Sequence, residues 1–383
     1  MARNIQQGPH RLPREALTKL EPGLPAHWYH DPQHYRRELE VFWYAGWICI
    51  GREEEIPAPR DYRVATIGTQ SIVVLRHADG GLRAFHNVCR HRGSILCTEE
   101  RGRLASDRIV CPYHAWTYDM DGALTATPRQ LPTPDFERAK FPLHAVAVEA
   151  WGGFLFVNLA GRDAPPLAAA LDDIPEQFER HRFADLRIGR RIVLDVAANW
   201  KLLLENFSEC FHCPVVHPEF CEIVPGYRAA GARGLGAESE TPEFKPGAQT
   251  LTLDGSARLP PIAGLTEEER RTLYTAQAFR PNLLLNVHPD YVNAQYVFPT
   301  GPESVRMVYD WLFEDDRLPM PEADLAHYVA LWDLTNRQDA RNCEWQQQGL
   351  RSRAFAHGHY APQEFDCQRF AEWVRTALEP TPN

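Results

Sequence analysis

Two short segments, each with one cysteine and one histidine, constrain the fold more than any other feature of this chain. Cys89 and His91 form a Cys-x-His pair, Cys111 and His114 form a Cys-x-x-His pair, and residues 92–110 separate them. Two thiolates and two imidazoles suit either a tetrahedral zinc ion or a two-iron, two-sulfur cluster in which histidines hold one iron. A zinc site is expected to have Cys-x-x-Cys pairs, or one pair of cysteines and one pair of histidines. Here each segment supplies one cysteine and one histidine, which indicates the iron–sulfur cluster.

Length and charge narrow the class of protein. At 383 residues the chain can form two ordinary domains, and 44% hydrophobic with 24% charged residues is typical of globular proteins. The net charge of −10 argues against a nucleic-acid partner, because a phosphate-binding face needs clustered lysine and arginine. The polar start resembles no secretory signal, and the absence of a long apolar run predicts no membrane span. The odd number of cysteines, nine, therefore indicates reduced thiols, some of them metal ligands, in a cytoplasmic protein.

The patterning predicts an α+β protein in three parts. Residues 1–45 are expected to form an N-terminal helical segment that packs on the last of the three parts. Residues 46–160 alternate in short strands separated by turns, which predicts a small antiparallel β domain carrying both Cys/His pairs. Residues 161–383 mix helices with successive strands of one antiparallel sheet, which predicts a second domain with a sheet flanked by helices.

Three helices and one loop are expected within this outline. Helices are expected over 31–43, over 200–212, and from Pro321 to about Gly349. The stretch 229–265, rich in Gly, Pro and Ala, is expected to be a loop over the second domain.

A second metal site is indicated after residue 200. Glu205, Glu209 and His212 fall on related faces of the expected helix through i+4 and i+3 spacing. Pro214 disfavours helix just before it, so the chain bends and can turn His217 toward His212. Two histidines and one carboxylate with open positions form the ligand set of Fe(II) sites that activate O2. By themselves two such histidines would be ordinary polar residues, but beside an iron–sulfur cluster they indicate a mononuclear iron.

The carboxylate of this second site is expected on the long C-terminal helix. Asp333, Asp339 and Glu344 are the candidates there, although most acidic residues on such a helix face water. Cys210 and Cys213 are interpreted as small packing residues rather than zinc ligands.

These segments together resemble the α subunit of the Rieske ring-hydroxylating oxygenase family along nearly the whole chain. The resemblance carries His212 and His217 over as iron ligands, and the run Asn336-Arg337-Gln338-Asp339 resembles the family's late ligand segment, which selects Asp339. Two departures stand out. The interval between the Cys/His pairs is slightly longer than usual, and Ala115 replaces the glycine that commonly follows the second histidine. Neither removes a ligand.

The resemblance implies an N-terminal Rieske domain, a C-terminal catalytic domain, a [2Fe–2S] cluster and a mononuclear Fe(II). It also implies a homotrimer in which the cluster of one subunit reduces the iron of its neighbour. Glu209, three residues before the first iron histidine, matches the carboxylate that bridges a cluster histidine of one subunit and the iron histidine of the next. Asn206 matches a position close to the iron, and Glu205 is as readily structural. Electrons are expected from a separate NAD(P)H-dependent reductase, with or without a ferredoxin, because no dinucleotide-binding glycine motif is present.

The motif Glu-Cys-Phe-His-Cys-Pro at 209–214 is most similar to the branch that acts on quaternary ammonium compounds such as glycine betaine, carnitine or proline betaine. That similarity implies hydroxylation of an N-methyl carbon with loss of formaldehyde. A cation of this kind needs aromatic neighbours, for which the candidates are Phe207, Phe211, Tyr291, Tyr296, Tyr309 and Trp311. Two alternatives stay open: an oxygenase of aromatic rings or aromatic acids, and a non-catalytic electron-transfer protein.

Overall fold

The computed structural model describes residues 15–229, 243–271, 274–275 and 278–378. Residues 1–14 of the expected N-terminal segment and 230–242 of the expected loop lie outside these ranges. The described residues fall into two compact units: Trp43–Ala170 form one, and those up to Phe42 together with those from Leu171 onward form the other.

The strands and helices are numbered in chain order. The strands are β1 (Glu21–Pro25), β2 (Ile48–Arg52), β3 (Asp61–Ile67), β4 (Gln70–Arg76), β5 (Leu82–His86), β6 (Arg101–Arg103), β7 (Arg108–Val110), β8 (Thr117–Asp119), β9 (Leu124–Ala126), β10 (Ala147–Trp151), β11 (Phe154–Asn158), β12 (Leu186–Val196), β13 (Tyr274–Thr275), β14 (Leu283–Val287), β15 (Val292–Gly301), β16 (Ser304–Glu314) and β17 (His357–Tyr360). The α-helices are α1 (Pro32–Glu38), α2 (Leu167–Leu171), α3 (Ile174–Gln177), α4 (Trp200–Phe207), α5 (Cys213–Val216), α6 (Pro218–Ile223), α7 (Glu322–Gly349) and α8 (Phe365–Leu378). Of the described helices, none combines the length and the apolar character needed to cross a membrane.

The unit Trp43–Ala170 is built from small antiparallel sheets. Their strand orders are β5-β4-β3-β6, β10-β11-β2 and β7-β8-β9. Strand β4 is an inner strand of the first sheet and β11 is the central strand of the second. They are buried along most or all of their length, which is why they read as apolar runs in the sequence. The expected antiparallel β domain is confirmed.

The second unit is organised by the antiparallel sheet β12-β16-β15-β14-β13. Strands β15 and β16 form a long hairpin that turns at Pro302 and Glu303, and helix α7 packs near the sheet. The expected long helix is confirmed, with Pro321 as the residue that precedes its first turn. An α+β architecture of this kind is the fold class that the patterning predicts.

The expected helix over 200–212 is wrong at its C-terminal end. Helix α4 starts at an N-cap, Asn199, whose side chain accepts a hydrogen bond from the backbone N–H of Lys201 at 3.0 Å, but it stops at Phe207. Beyond it, the Glu209 carboxylate accepts hydrogen bonds from the backbone N–H groups of Phe211 and His212 and so stabilises a turn. Glu209 and His212 are therefore positioned by this turn and not by helical spacing from residue 205.

The N-terminal segment is joined to α4 by a fully buried ion pair. The Lys201 ammonium donates to the Glu38 carboxylate and, at 2.9 Å, to the backbone carbonyl of Trp28. The Trp200 indole N–H donates to the other Glu38 oxygen at 2.8 Å. Burial acts to raise the pKa of Glu38, but Lys201 and the hydrogen-bond donors outweigh it and hold that pKa below its usual value.

We expect Lys201→Met to destabilise the protein by about 3–5 kcal/mol, because it leaves the Glu38 charge buried without a cation. Urea unfolding followed by tryptophan fluorescence measures this change. The double variant Lys201→Met/Glu38→Gln should recover much of the loss, since the remaining amide carries no charge. An equal loss of unfolding free energy in the single and the double variant would show that the ion pair does not stabilise this junction.

Candidate metal centres

The two Cys/His pairs lie in loops of the same construction. In the first loop, the N–H of Cys89 donates to the carbonyl of Ser94 at 2.8 Å, and the N–H of Gly93 donates back to the Cys89 carbonyl at 3.1 Å. In the second, Cys111 donates to Trp116 at 2.8 Å and Ala115 donates to Cys111 at 3.0 Å, which repeats the same offsets. Gly93 and Ala115 are thus equivalent positions.

Both of these positions require left-handed backbone. The φ angle is +74° at Gly93 and +56° at Ala115. Only glycine adopts this region without steric cost. This geometry explains why glycine is common after the second histidine and why alanine there is a strained replacement.

The thiols and imidazoles of these loops form two separate pairs. Cys89 and Cys111 are each 3% exposed, whereas His91 and His114 are exposed, with ring centroids 4.7 Å apart. The Tyr118 hydroxyl lies 3.3 Å from the Cys89 sulfur. Burial raises the pKa of the Cys89 thiol, and burial also lowers the pKa of His91, with the nearby His114 adding to the effect. Buried thiols on one side and exposed imidazoles on the other fit a cluster with two unlike irons better than a single zinc ion.

His212, His217 and Asp339 come together in the second unit. One potential ligand atom from each lies within 4.8 Å of the others. Both imidazoles direct Nε2 at the same carboxylate oxygen, Asp339 Oδ1, at 3.4 Å from His212 and 2.8 Å from His217. Sequence separation does not predict this contact. The packing of α4 and α5 against α7 creates it.

The other ring nitrogen of each histidine is held by an acceptor. Nδ1 of His212 lies 2.6 Å from Glu209 Oε1, and Nδ1 of His217 lies 2.7 Å from Gln338 Oε1. An acceptor at Nδ1 keeps the proton there, which leaves Nε2 free to bind a metal and fixes the ring orientation. This donor set fits the iron that the sequence predicts. Sequence reasoning overlooked Gln338, although its place next to Asp339 was a usable signal.

Asn206 lies beside the same carboxylate. Its Nδ2 group donates to Asp339 Oδ1 at 3.1 Å and lies 3.5 Å from His212 Nε2. In this arrangement burial lowers the pKa of His212, but the hydrogen bonds to Asp339 and Glu209 raise it, to about 10. Burial acts to raise the pKa of Asp339, and its two histidine partners hold it below the usual value. The carboxylate is therefore ionised and able to bind a cation.

The other acidic candidates have structural contacts. Asp333 pairs with Arg337 on the surface of α7, and Glu344 accepts the backbone N–H of Ala197 at 3.1 Å. Glu205 is buried and accepts hydrogen bonds from the hydroxyls of Tyr29 and Tyr360 at 2.7 and 2.8 Å. Burial raises the pKa of Glu205 to about 7.

The expectation of reduced, merely packing cysteines is wrong for one pair. Cys210 and Cys213 are joined by a disulfide. The turn after α4 brings their Cα atoms to 5.0 Å, a separation that a disulfide spans without backbone movement. The other described cysteines form no disulfide.

The six aromatic candidates separate by position. Tyr309 and Trp311 lie on the sheet face that also carries Asn293 and Gln295, their cross-strand partners. Tyr296 lies on the opposite face of β15, because side chains alternate along a strand. Tyr291 donates its hydroxyl to the Leu251 carbonyl at 2.6 Å. Phe211 is 45% exposed, and Phe207 is half-buried.

Comparisons with known proteins agree with these two centres. A Rieske [2Fe-2S] domain family model matches residues 46–137, and the ring hydroxylating alpha subunit (catalytic domain) model matches 183–380. The chain is 32% identical to the glycine betaine monooxygenase oxygenase subunit of Chromohalobacter salexigens, over 93% of this chain and 85% of that protein. It is 28% identical to the chloroplastic choline monooxygenase of Atriplex hortensis, over 95% and 80%. A crystal structure of a quaternary ammonium Rieske monooxygenase in complex with L-carnitine superposes with a TM-score of 0.74 at 24% identity, covering 94% of this chain and 96% of that one.

The equivalent positions 93 and 115 allow a paired prediction. Ala115→Gly should raise the free energy of unfolding by about 0.5–1 kcal/mol, because it relieves left-handed strain, and Gly93→Ala should lower it by a similar amount. A Cβ at position 93 would meet no atom within 4 Å, so only backbone strain is tested there. Thermal loss of the cluster's visible absorbance provides the measurement. Changes of the same sign in both variants would contradict the equivalence of the loops.

A second prediction concerns the hydrogen bond of His217. Gln338→Leu removes the acceptor at Nδ1 and should weaken Fe(II) binding about 10- to 100-fold, with the iron–sulfur cluster unchanged. Gln348→Leu makes the same change at an exposed position of α7 and is the matched control. Equal iron affinities in the two variants would remove Gln338 from the metal site.

Proposed function

Because the chain belongs to the family of Rieske-type ring-hydroxylating oxygenase α subunits, we propose that it is the terminal oxygenase component of a system that demethylates a quaternary ammonium compound. Family membership makes the chain an oxidoreductase that binds a Rieske [2Fe–2S] cluster and a mononuclear iron. The observation that carries the proposal for this chain is the convergence of two imidazole Nε2 atoms on one ionised carboxylate, with both Nδ1 atoms engaged.

In this proposal the cluster is held by Cys89 and Cys111 on one iron and by His91 and His114 on the other. His212, His217 and Asp339 hold the mononuclear iron and leave positions open. When bound, the two groups supply electrons one at a time and a reducing site for O2. We assign the cluster to residues 46–160 and the iron to residues 161–383.

The protein's own residues orient these groups. Glu209 and Gln338 fix the two iron histidines, and Asn206 donates to Asp339, so the carboxylate keeps one oxygen directed at both rings. Burial raises the pKa of the Tyr309 phenol, and the negative charge of the nearby Asp339 carboxylate raises it further. Tyr309 therefore offers an aromatic surface beside the iron for a trimethylammonium group.

The substrate class rests on the relatives and on the 209–214 motif. Oxidation at an N-methyl group would place one oxygen atom of O2 in a C–H bond, while two electrons and two protons convert the other atom to water. The N-hydroxymethyl product then releases formaldehyde and a proton and leaves the demethylated amine. Electrons come from a separate reductase, and we propose a homotrimer in which Glu209 connects the centres of adjacent subunits.

The test is to supply purified holoenzyme and a matching reductase with glycine betaine, L-carnitine, choline or benzoate, and to measure formaldehyde and O2 uptake. The proposal requires formaldehyde with at least one quaternary ammonium compound and an iron content of about three per chain, two in the cluster and one mononuclear. Turnover of benzoate alone would favour an aromatic-acid oxygenase. About two irons and no oxygenation would indicate an electron carrier.

For Glu209, the variant Glu209→Gln should keep both metal centres but slow oxidation of the reduced cluster about 10- to 100-fold, because the amide lacks the charge that orients imidazole N–H groups. Stopped-flow absorbance of the cluster after mixing with O2 and substrate gives the rate. Glu222→Gln makes the same change at an exposed site of α6 and should behave as wild type. An unchanged rate in Glu209→Gln would refute the proposed role.

A further inference from the structure

A row of buried amides crosses the sheet of the catalytic unit on the face toward helix α7. Asn286, Asn293 and Trp311 are cross-strand neighbours on β14, β15 and β16, so their side chains share one face. Gln295 lies on the same face two residues along β15, and its Nε2 group donates to Asn293 at 3.0 Å and to Asn336 of α7 at 3.3 Å. These contacts place Asn336 over the same row.

The N–H donors of this row lack acceptors. Nδ2 of Asn286, Asn293 and Asn336, and Nε1 of Trp311, are buried without a hydrogen-bond partner among the described residues. The four residues are at most 4% exposed. Buried donors are nearly always satisfied in folded proteins. Four unsatisfied donors in one layer therefore indicate a group that is bound there and supplies only acceptors.

This amide layer adjoins the iron ligands. Asn336 precedes Asp339 by three residues on α7, which places it on the same face about one turn, ~5 Å, along the axis. Gln295 is the cross-strand partner of Tyr309. Burial raises the pKa of the Tyr309 phenol, and the charge of Asp339 raises it further. A short substrate can therefore place one end at the iron and the other at the amides.

The Nδ1 group of His288 is a fifth buried donor, at the end of the layer. Trp332, one turn before Asn336, donates its indole N–H to Nε2 of His288 at 2.9 Å, which leaves the proton of the neutral ring on Nδ1. This Nδ1 group is also buried without a partner among the described residues. The charged neighbours on β12 and β16, Arg191 and Asp310, pair with each other on the opposite face of the sheet.

Resting on the proposed function, we infer that the amide layer is a carboxylate subsite and that the substrate is a quaternary ammonium carboxylate, not an amino alcohol such as choline. A carboxylate only accepts hydrogen bonds, which matches a layer of unpaired donors. Neutral amides bind it without placing a cation beside the trimethylammonium group, as an arginine would. An alcohol offers one weak acceptor and leaves most of the donors unpaired.

Glycine betaine and choline test this directly, because they share the trimethylammonium group and differ in the carboxylate. Binding to anaerobic holoenzyme is measured by calorimetry and turnover by formaldehyde release. Wild type should bind glycine betaine or L-carnitine at least about tenfold more tightly than choline. Asn286→Leu should weaken carboxylate binding at least about tenfold and change choline binding less than about twofold.

The melting temperature separates a binding role from a structural one. The Nδ2 group of Asn286 donates to no other described residue, so leucine, of similar volume, should leave the melting temperature unchanged or raise it. Asn293→Asp, which adds a negative charge with little change of shape, should abolish carboxylate binding and leave choline binding unchanged or tighter. Gln348→Glu, at an exposed position farther along α7, is the control for the charge and should alter neither.

Equal losses for both ligands, or an unchanged betaine-to-choline ratio in Asn286→Leu and Asn293→Asp, would overturn the subsite while leaving N-demethylation intact. Preferential turnover of choline by the wild type would do the same. Failure of the wild type to oxidise any quaternary ammonium compound would overturn the proposed function, and the subsite with it.

Discussion

The catalytic unit depends on one carboxylate oxygen. Asp339 Oδ1 accepts from Asn206 and faces the Nε2 atoms of His212 and His217, so it joins segments separated by more than a hundred residues of chain. Neither segment contains the site by itself. The contact persists because α4 and α7 are fixed to each other beyond it, for example by the N–H of Asn199, which donates to Gln347 of α7 at 2.9 Å.

Buried polar groups in this unit follow two patterns. At structural junctions they are satisfied, as in the Glu38–Lys201 pair and in Asp290, whose carboxylate accepts from the hydroxyls of Thr250 and Tyr328. Burial still raises the pKa of Asp290 to about 7. Near Asp339, by contrast, Asn286 and Asn293 keep buried N–H groups without partners among the described residues. Unsatisfied donors cost stability, so a protein keeps them where a ligand uses them.

The loops that carry the proposed cluster ligands differ in the residue that occupies their left-handed backbone position. Each loop closes on its cysteine through backbone hydrogen bonds, and this closure sets a positive φ at the fourth residue after that cysteine. Gly93 adopts this positive φ without strain, whereas Ala115 is strained there. The ladder on either side of the second loop, β7 with β8, holds the strained residue in place. The alanine at position 115 therefore introduces backbone strain into the second loop.

The sequence by itself determined what is local. The Cys/His spacing indicated the cluster, apolar alternation predicted the antiparallel sheets, and the long helix was placed to within a residue, because these depend on side-chain period and on ligand chemistry. It also indicated His212 and His217 as candidate iron ligands. Tertiary structure decided the rest. The end of α4 at Phe207 depends on the turn held by Glu209, and the pairing of Cys210 with Cys213 depends on that same turn. The engagement of Gln338 with His217 and the unpaired amides near Asn336 arise only where α7 meets the sheet and the 206–217 segment. No periodicity encodes such contacts, since they depend on how distant surfaces pack.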